Sequence, residues 1–228
     1  MPRPTLLFDL DGTLADTAAD LCETLNVILE LHGRERVPQE RVRHLVGGGA
    51  RLLLERGFRD TGDPASEALL DRTFHEFLDY YGRHIADHTR LWPGVRDQLD
   101  MLAEHGALMA VCTNKVEDLS RKLLEMLSID HYFPVVIGGD TLPVKKPDPE
   151  HLFEAIRQLG GENAHSVMVG DSGADVGSAR AAGMKVVLVR GGYTAVPVEE
   201  LGADLVIDRL DHLFGALKRL AETADARA

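Results

Sequence analysis

Four short polar clusters in this sequence hold residues able to do chemistry, and each follows a short apolar run. The first is Asp9-Leu10-Asp11-Gly12-Thr13, directly after Leu6-Leu7-Phe8. Carboxylates one residue apart leave an extended chain on the same side and can share one cation. Gly12 then allows a sharp turn, although plain Asp-Gly turn chemistry accounts for these residues equally well. The second cluster, Val111-Cys112-Thr113-Asn114-Lys115, offers a hydroxyl and the following backbone N–H groups to a phosphoryl oxygen. The simpler reading makes Thr113 the N-cap of a helix from Val116. Cys112 points the other way and reads as core. In the third, Lys145-Lys146-Pro147-Asp148-Pro149, Pro147 keeps Lys146 extended ahead of a helix. That suits a fixed cation aimed at a pocket, or a solvated basic turn. The fourth is Val169-Gly170-Asp171-Ser172-Gly173-Ala174-Asp175. Asp171, next to the apolar run, is the better metal ligand, and Asp175 is placed to brace a neighbour or cap a helix. Ser172 does not sit in a nucleophile elbow, because the last position of G-x-S-x-G is Ala174.

Taken together, the clusters put carboxylates, a hydroxyl and a lysine at the ends of neighbouring strands. Carboxylates that repel one another call for a divalent cation, and an all-oxygen donor set selects Mg²⁺ over zinc. Hydroxyl, lysine and Mg²⁺ are the surroundings of a phosphoryl group. A carboxylate nucleophile in that setting gives an aspartyl-phosphate intermediate.

Six β-type runs position these residues: Thr5–Leu10, Leu108–Thr113, Pro134–Ile137, Ser166–Gly170, Lys185–Val189 and Leu205–Ile207. Most are continuously apolar, as strands covered on both faces are. Helical patterns at Val95–Glu104, Val116–Leu127, Pro149–Leu159, Gly173–Ala182 and Leu210–Ala221 separate or follow them. The alternation predicts an α/β fold with a doubly wound parallel sheet, whose ligand site lies at the carboxyl ends of the strands. Between the first two strands, roughly Asp16 to Thr89, only helical patterns occur, at Leu21–Leu31, Arg51–Glu55 and Ala68–Tyr81. A connection of that length is no loop. The division expected is a core of residues 1–15 and 90–228, with residues 16–89 as an inserted helical domain.

The remaining composition excludes other classes. The chain has 228 residues, 44% hydrophobic and 27% charged, an ordinary globular balance. A net charge of −12 argues against binding nucleic acid through general electrostatics. No apolar run approaches the ~20 residues of a membrane span, and no secretory signal is visible. Cys22 and Cys112, the two cysteines, form no CxxC motif, so neither a disulfide framework nor a zinc knuckle is expected. A reducing cytoplasm fits, for a monomer or homodimer acting on a small metabolite.

On Asp9-x-Asp11-Gly12-Thr13, Thr113, Lys146-Pro147 and Gly170-Asp171-Ser172-x-x-Asp175, in that order over essentially the whole chain, the sequence resembles the haloacid dehalogenase superfamily of phosphohydrolases. The resemblance implies a Rossmann-like core with a helical cap. It implies Asp9 as nucleophile and Asp11 as general acid/base, protonating the leaving oxygen and then activating water. Mg²⁺ would be held by the Asp9 side chain, the Asp11 main-chain carbonyl and the Asp171 side chain, with Asp175 supporting the metal site. Thr113 and Lys146 would steady the phosphoryl oxygens, with Gly12, Asn114 and Gly48 also at the phosphate or substrate. The loop Leu45-Val46-Gly47-Gly48-Gly49-Ala50, together with Thr113-Asn114-Lys115, Val136–Asp140 and Gly192-Tyr193, is similar to bacterial phosphoglycolate phosphatases. The substrate implied is 2-phosphoglycolate.

Asp11 argues against a dehalogenase, and the absence of any lysine before Lys115 argues against a Schiff-base phosphonatase. β-Phosphoglucomutase-like and pyrophosphatase activities would use the same core residues. A non-enzymatic receiver domain shares an acidic cluster, Thr and Lys, but has neither the nucleophile on the first strand nor a helical insert. His84 and His88, at i and i+4, lack a third zinc ligand. Gly47-Gly48-Gly49 reads as a flexible loop or a phosphate nest. Arg51 or Arg56, just beyond it, is a candidate partner for a substrate carboxylate.

Overall fold

The structure, a computed structural model, describes residues 3–225. All six apolar runs form strands: β1 (Thr5–Phe8), β4 (Leu108–Cys112), β5 (Val135–Ile137), β6 (Ser166–Gly170), β7 (Lys185–Val189) and β8 (Leu205–Ile207). They make one parallel sheet in the order β5-β4-β1-β6-β7-β8. β1 is central, with Phe8 level with Val111 on one side and Val169 on the other. Asp9 and Thr113 fall outside the strands expected to contain them, because the chain leaves the ladder where the polar clusters begin.

The period-2 pleat explains why continuous apolar runs are needed. Leu6 and Phe8 pack with Val111, Val169 and Val187 on one face, beside α5 (Val95–Glu104), α6 (Glu117–Met126) and α9 (Leu213–Asp225). Leu7 packs with Ala110, Cys112, Met168 and Val186 on the other, under α7 (Glu150–Leu159) and α8 (Gly173–Ala181). Cys112 is fully buried there, as its side of the strand requires. The C-terminal helix begins at Leu213 rather than Leu210, after a single 3₁₀ turn at Leu210–His212.

The long connection contains α1 (Ala18–Leu31), α2 (Gln39–Arg43), α3 (Ala50–Asp60) and α4 (Glu67–Arg83), which pack mainly on one another. α2 has no counterpart in the sequence reading: with one buried residue, Val42, five residues leave no periodic trace. Ser66 caps α4, its Oγ accepting from the Leu69 N–H. Two-residue strands β2 (Ala15–Asp16) and β3 (Arg90–Leu91) pair antiparallel and bind the chain's exit from the sheet to its return. Just inside them, Asp20 accepts from the Thr89 N–H (2.8 Å), the Thr89 hydroxyl (2.7 Å) and the His88 N–H (3.0 Å), fastening α1 to the returning segment. The apolar side of the insert is continuous with the α5/α6/α9 face of the sheet. Among the described residues, no helix is long and apolar enough to cross a membrane.

Candidate active site

Because β1, β4 and β6 are neighbours in register, their polar sequels emerge at one place. Asp9 is buried, and its Oδ1 accepts from the Leu10 N–H at 2.7 Å and lies 3.1 Å from Lys146 Nζ. Burial raises this carboxyl to about 6, with Asp175 and Asp11 adding to the rise and Lys146 opposing it. Lys146 is 2% exposed and spans two acids, donating to Asp175 Oδ1 at 2.6 Å. Burial disfavours its charge, but Asp175 and Asp9 outweigh that and hold the ammonium above its ordinary range.

Asp175 serves as brace and cap together. Its Oδ2 accepts from the Asp171 N–H (3.1 Å), the Ser172 N–H (3.0 Å) and the Ser172 hydroxyl (2.7 Å), completing a capping box at the start of α8. Asp171 accepts from the Thr13 hydroxyl at 2.6 Å and the Tyr193 N–H at 2.6 Å. Burial, then Asp9 and Asp175, push its carboxyl well above the usual range. Two glycines make room for it. A Cβ on Gly12, whose φ is +85°, would stand 2.5 Å from Asp171 Oδ2, and one on Gly192 would stand 2.2 Å from Asp171 Cβ.

Asp11 faces a different lysine. Lys115 Nζ donates to both its oxygens, at 2.9 and 3.0 Å, and lies 4.4 Å from the centroid of the Tyr81 ring on α4. Asp9, Asp11, Thr113 and Lys115 share a partly open cavity of about 40 Å³ with Tyr81 and with apolar residues of the insert such as Leu21, Leu53 and Phe77. Thr113 is not the N-cap of α6, which is Val116; its Oγ1 accepts from the Lys115 N–H at 3.3 Å.

Other candidates are engaged elsewhere. Asn114 lines the cavity, but its amide donates to the Gly47 and Lys146 carbonyls, both at 3.1 Å, tying the glycine loop to the core. Gly47 and Gly49 reach the cavity lining, whereas Gly48 accepts from Lys145 Nζ on the outer, open side of that loop. Arg51 pairs with Glu67 and Asp71, and Arg56 donates to the Leu45 carbonyl, so neither faces that cavity. His84 pairs with Asp87. Lys115, Thr13, Tyr81 and Tyr193 are site residues that sequence reasoning did not single out. Lys115 and Thr13 stood inside the clusters already noticed and Tyr193 inside the Gly192-Tyr193 pair, without a role given to them; Tyr81 gave no local signal.

The donor set fits a hard divalent cation. Asp9, Asp171 and Asp175 each place an oxygen within 4.8 Å of the others. Asp175 is already saturated by donors, which leaves Asp9 and Asp171 as the better ligands. Four carboxylates (Asp9, Asp11, Asp171, Asp175) meet two ammonium groups (Lys115, Lys146), leaving two negative charges in a buried space. A 2+ ion bound by oxygen balances that excess.

Residues 6–189 match the family model described as haloacid dehalogenase-like hydrolase. The chain is 46% identical to a phosphoglycolate phosphatase of Caulobacter vibrioides, with 89% of this chain and 86% of the relative covered. A phosphoglycolate phosphatase of Agrobacterium fabrum is 41% identical over 94% of this chain and 92% of its own. Among solved structures, a predicted phosphoglycolate phosphatase from Haemophilus somnus superposes with a TM-score of 0.88 at 28% identity, covering 94% of this chain and 97% of that one.

Proposed function

The chain belongs to the haloacid dehalogenase-like hydrolases, and we propose that it hydrolyses 2-phosphoglycolate to glycolate and phosphate through a phospho-aspartate on Asp9, with residues 16–89 as the cap over that site. The observation that carries the reading is the sharing of one cavity by two carboxylates with separate lysine partners, Asp9 beside Lys146 and Asp11 under Lys115. Asp9 attacks phosphorus in line with the leaving oxygen, and Asp11, which enters the step in its protonated form, gives its proton to that oxygen and is left as the carboxylate paired with Lys115. With glycolate gone, Asp11 takes a proton from water as it attacks the phospho-aspartate, which restores Asp9. Lys146 and the Thr113 hydroxyl steady the phosphoryl oxygens. Lys115 keeps the Asp11 carboxylate turned into the cavity. Mg²⁺, held by Asp9, Asp171 and the Asp11 carbonyl, would neutralise charge on the phosphoryl group when bound.

The small cavity, partly open to solvent, accommodates a small phosphate ester. The names carried by relatives at 46% and 41% identity point the same way. The test is phosphate release from 2-phosphoglycolate with and without Mg²⁺, beside glucose phosphates, pyrophosphate and nucleotides. A Mg²⁺-dependent preference for phosphoglycolate is expected. Preference for another phosphate overturns the substrate, and turnover that survives Asp9→Asn overturns the mechanism.

A further inference from the structure

Two buried polar atoms on residues lining the cavity over Asp9 and Asp11, Asn114 Oδ1 and the Tyr81 hydroxyl, are left unused by the phosphoryl chemistry, and of the two only the hydroxyl can donate. Tyr81 lines the cavity and is 1% exposed, and its buried hydroxyl has the Lys115 ammonium beside its oxygen but no acceptor for its proton among the described residues. Lys115 lies close by, but an ammonium has only donors and cannot accept the phenolic proton. Burial raises the phenol to about 12, with Lys115 opposing, so at neutral pH it remains a donor.

Folding alone does not call for this hydroxyl. A phenylalanine would keep the stacking on Phe77, whose ring centroid is 5.9 Å away, without burying a donor that lacks an acceptor. The cavity surfaces contributed by Leu21, Leu53 and Leu78 are apolar and offer no acceptor, while Asp11 is already taken by Lys115. The acceptor therefore comes with the ligand. A donor beside an ammonium, among apolar walls, suits an anionic oxygen.

We infer that Tyr81 is a specificity-determining residue whose O–H donates to the carboxylate of a small phosphate ester, while the phosphoryl end of that ester faces Asp9. The inference rests on the phosphoglycolate reading and adds the residue that recognises the end of the substrate away from phosphorus. It places carboxylate recognition on α4, not on the arginines that follow the glycine loop.

The test compares wild type with Tyr81→Phe on 2-phosphoglycolate and on ethyl phosphate, a two-carbon ester with a methyl in place of the carboxylate. Melting temperature serves as the control for folding. The variant is expected to melt no lower than wild type, since it loses a buried donor that has no acceptor in the unliganded protein. Its KM for phosphoglycolate should rise about 10- to 100-fold, the range for one hydrogen bond to a charged group, with KM for ethyl phosphate unchanged. If wild type prefers phosphoglycolate and Tyr81→Phe keeps that preference, the role of Tyr81 is overturned and the substrate stands. Equal losses on both esters, or a fall in melting temperature, make Tyr81 structural and overturn the inference as well. If wild type does not distinguish the two esters, the substrate reading fails and this inference goes with it.

Discussion

The backbone N–H of Tyr193 donates to Asp171 Oδ2 at 2.6 Å, while its hydroxyl reaches the chain's exit from the sheet at Asp16–Ala18. That hydroxyl donates to Asp16 Oδ1 (2.6 Å) and accepts from the Thr17 (2.7 Å) and Ala18 (2.9 Å) N–H groups where α1 begins. One residue thus touches both a proposed metal ligand and the connection into residues 16–89. Arg43 closes the arrangement, pairing with Asp16 at 2.8 Å and lying over the Tyr193 ring.

Tyr193→Phe strips the buried Thr17 N–H of its acceptor and leaves the Ala18 N–H only Asp16 Oδ1, at 3.4 Å. A loss of about 1–3 kcal/mol in stability is expected from the unpaired Thr17 N–H. The Asp171 contact persists because it is made by the backbone. Urea unfolding measures the first, and an unchanged Mg²⁺ requirement in the phosphatase assay checks the second. A variant as stable as wild type would show that the hydroxyl does not fasten that exit.

Asp9→Asn should lower phosphate release by about 10³-fold or more, because an amide is a poor nucleophile. The same change should stabilise the metal-free protein. The folded carboxyl sits at about 6 against an ordinary 3.8, so folding favours the protonated form. The penalty on the ionised form grows as pH rises from the unfolded to the folded value and is complete above it, at about 3 kcal/mol in order of magnitude. Denaturation of both proteins in EDTA near neutral pH decides this, with equal stabilities counting against the strained carboxylate.

Mg²⁺ should raise the melting temperature, and more so at neutral than at acid pH. At a hundredfold excess over its dissociation constant, a site-bound ion adds about 2.7 kcal/mol. Below about pH 6, protons compete for Asp9, and Asp171 is shifted in the same direction. Thermal shifts with Mg²⁺ at several pH values test it. A shift that did not weaken on acidification, or that survived Asp171→Asn, would place the ion elsewhere.

His151, on α7 behind the site, gives a pH dependence opposite in sign to that of Asp9 in the metal-free protein. It is fully buried, its Nε2 is 2.8 Å from the Gly138 carbonyl, and Nδ1 has no partner among the described residues. The carbonyl assigns the proton to Nε2. Burial drops this imidazole to about 4, the Gly138 carbonyl resisting and Lys146 adding to the fall. The unfolded chain therefore binds the extra proton between its ordinary 6.5 and about 4. Stability is fully present above the upper value and is lost as pH falls through the window, by about 2 kcal/mol at about pH 5. Urea unfolding of wild type and His151→Leu at neutral pH and near pH 5 isolates the contribution, which should be missing from the variant.

The chain order of polar clusters after apolar runs was enough to read the sheet, the helical insert and most of the acidic site. That information is local: a parallel strand buried on both faces must be apolar along its length, and the chain must turn polar where it leaves the ladder. Asp9, Asp11 and Asp171 were legible because each stands at such an exit, whereas Lys146 lies in the loop between β5 and α7 and Asp175 in the first turn of α8, legible by residue type and neighbouring motif. The five-residue helix at Gln39–Arg43 was not, since one buried residue makes no pattern. Partners were a different matter. Lys115 was in plain view beside Thr113, yet its pairing with Asp11, 104 residues away, exists only because β1 and β4 are neighbours. Tyr81 meets the cavity only because α4 folds over those strand ends, and Asn114 meets Gly47 for the same reason. Residue type and local spacing determine what a side chain can do and which way a strand presents it. Which lysine neutralises which carboxylate, and which hydroxyl is left without an acceptor, are decided by distance and burial, and those come into being only when segments far apart in sequence pack together.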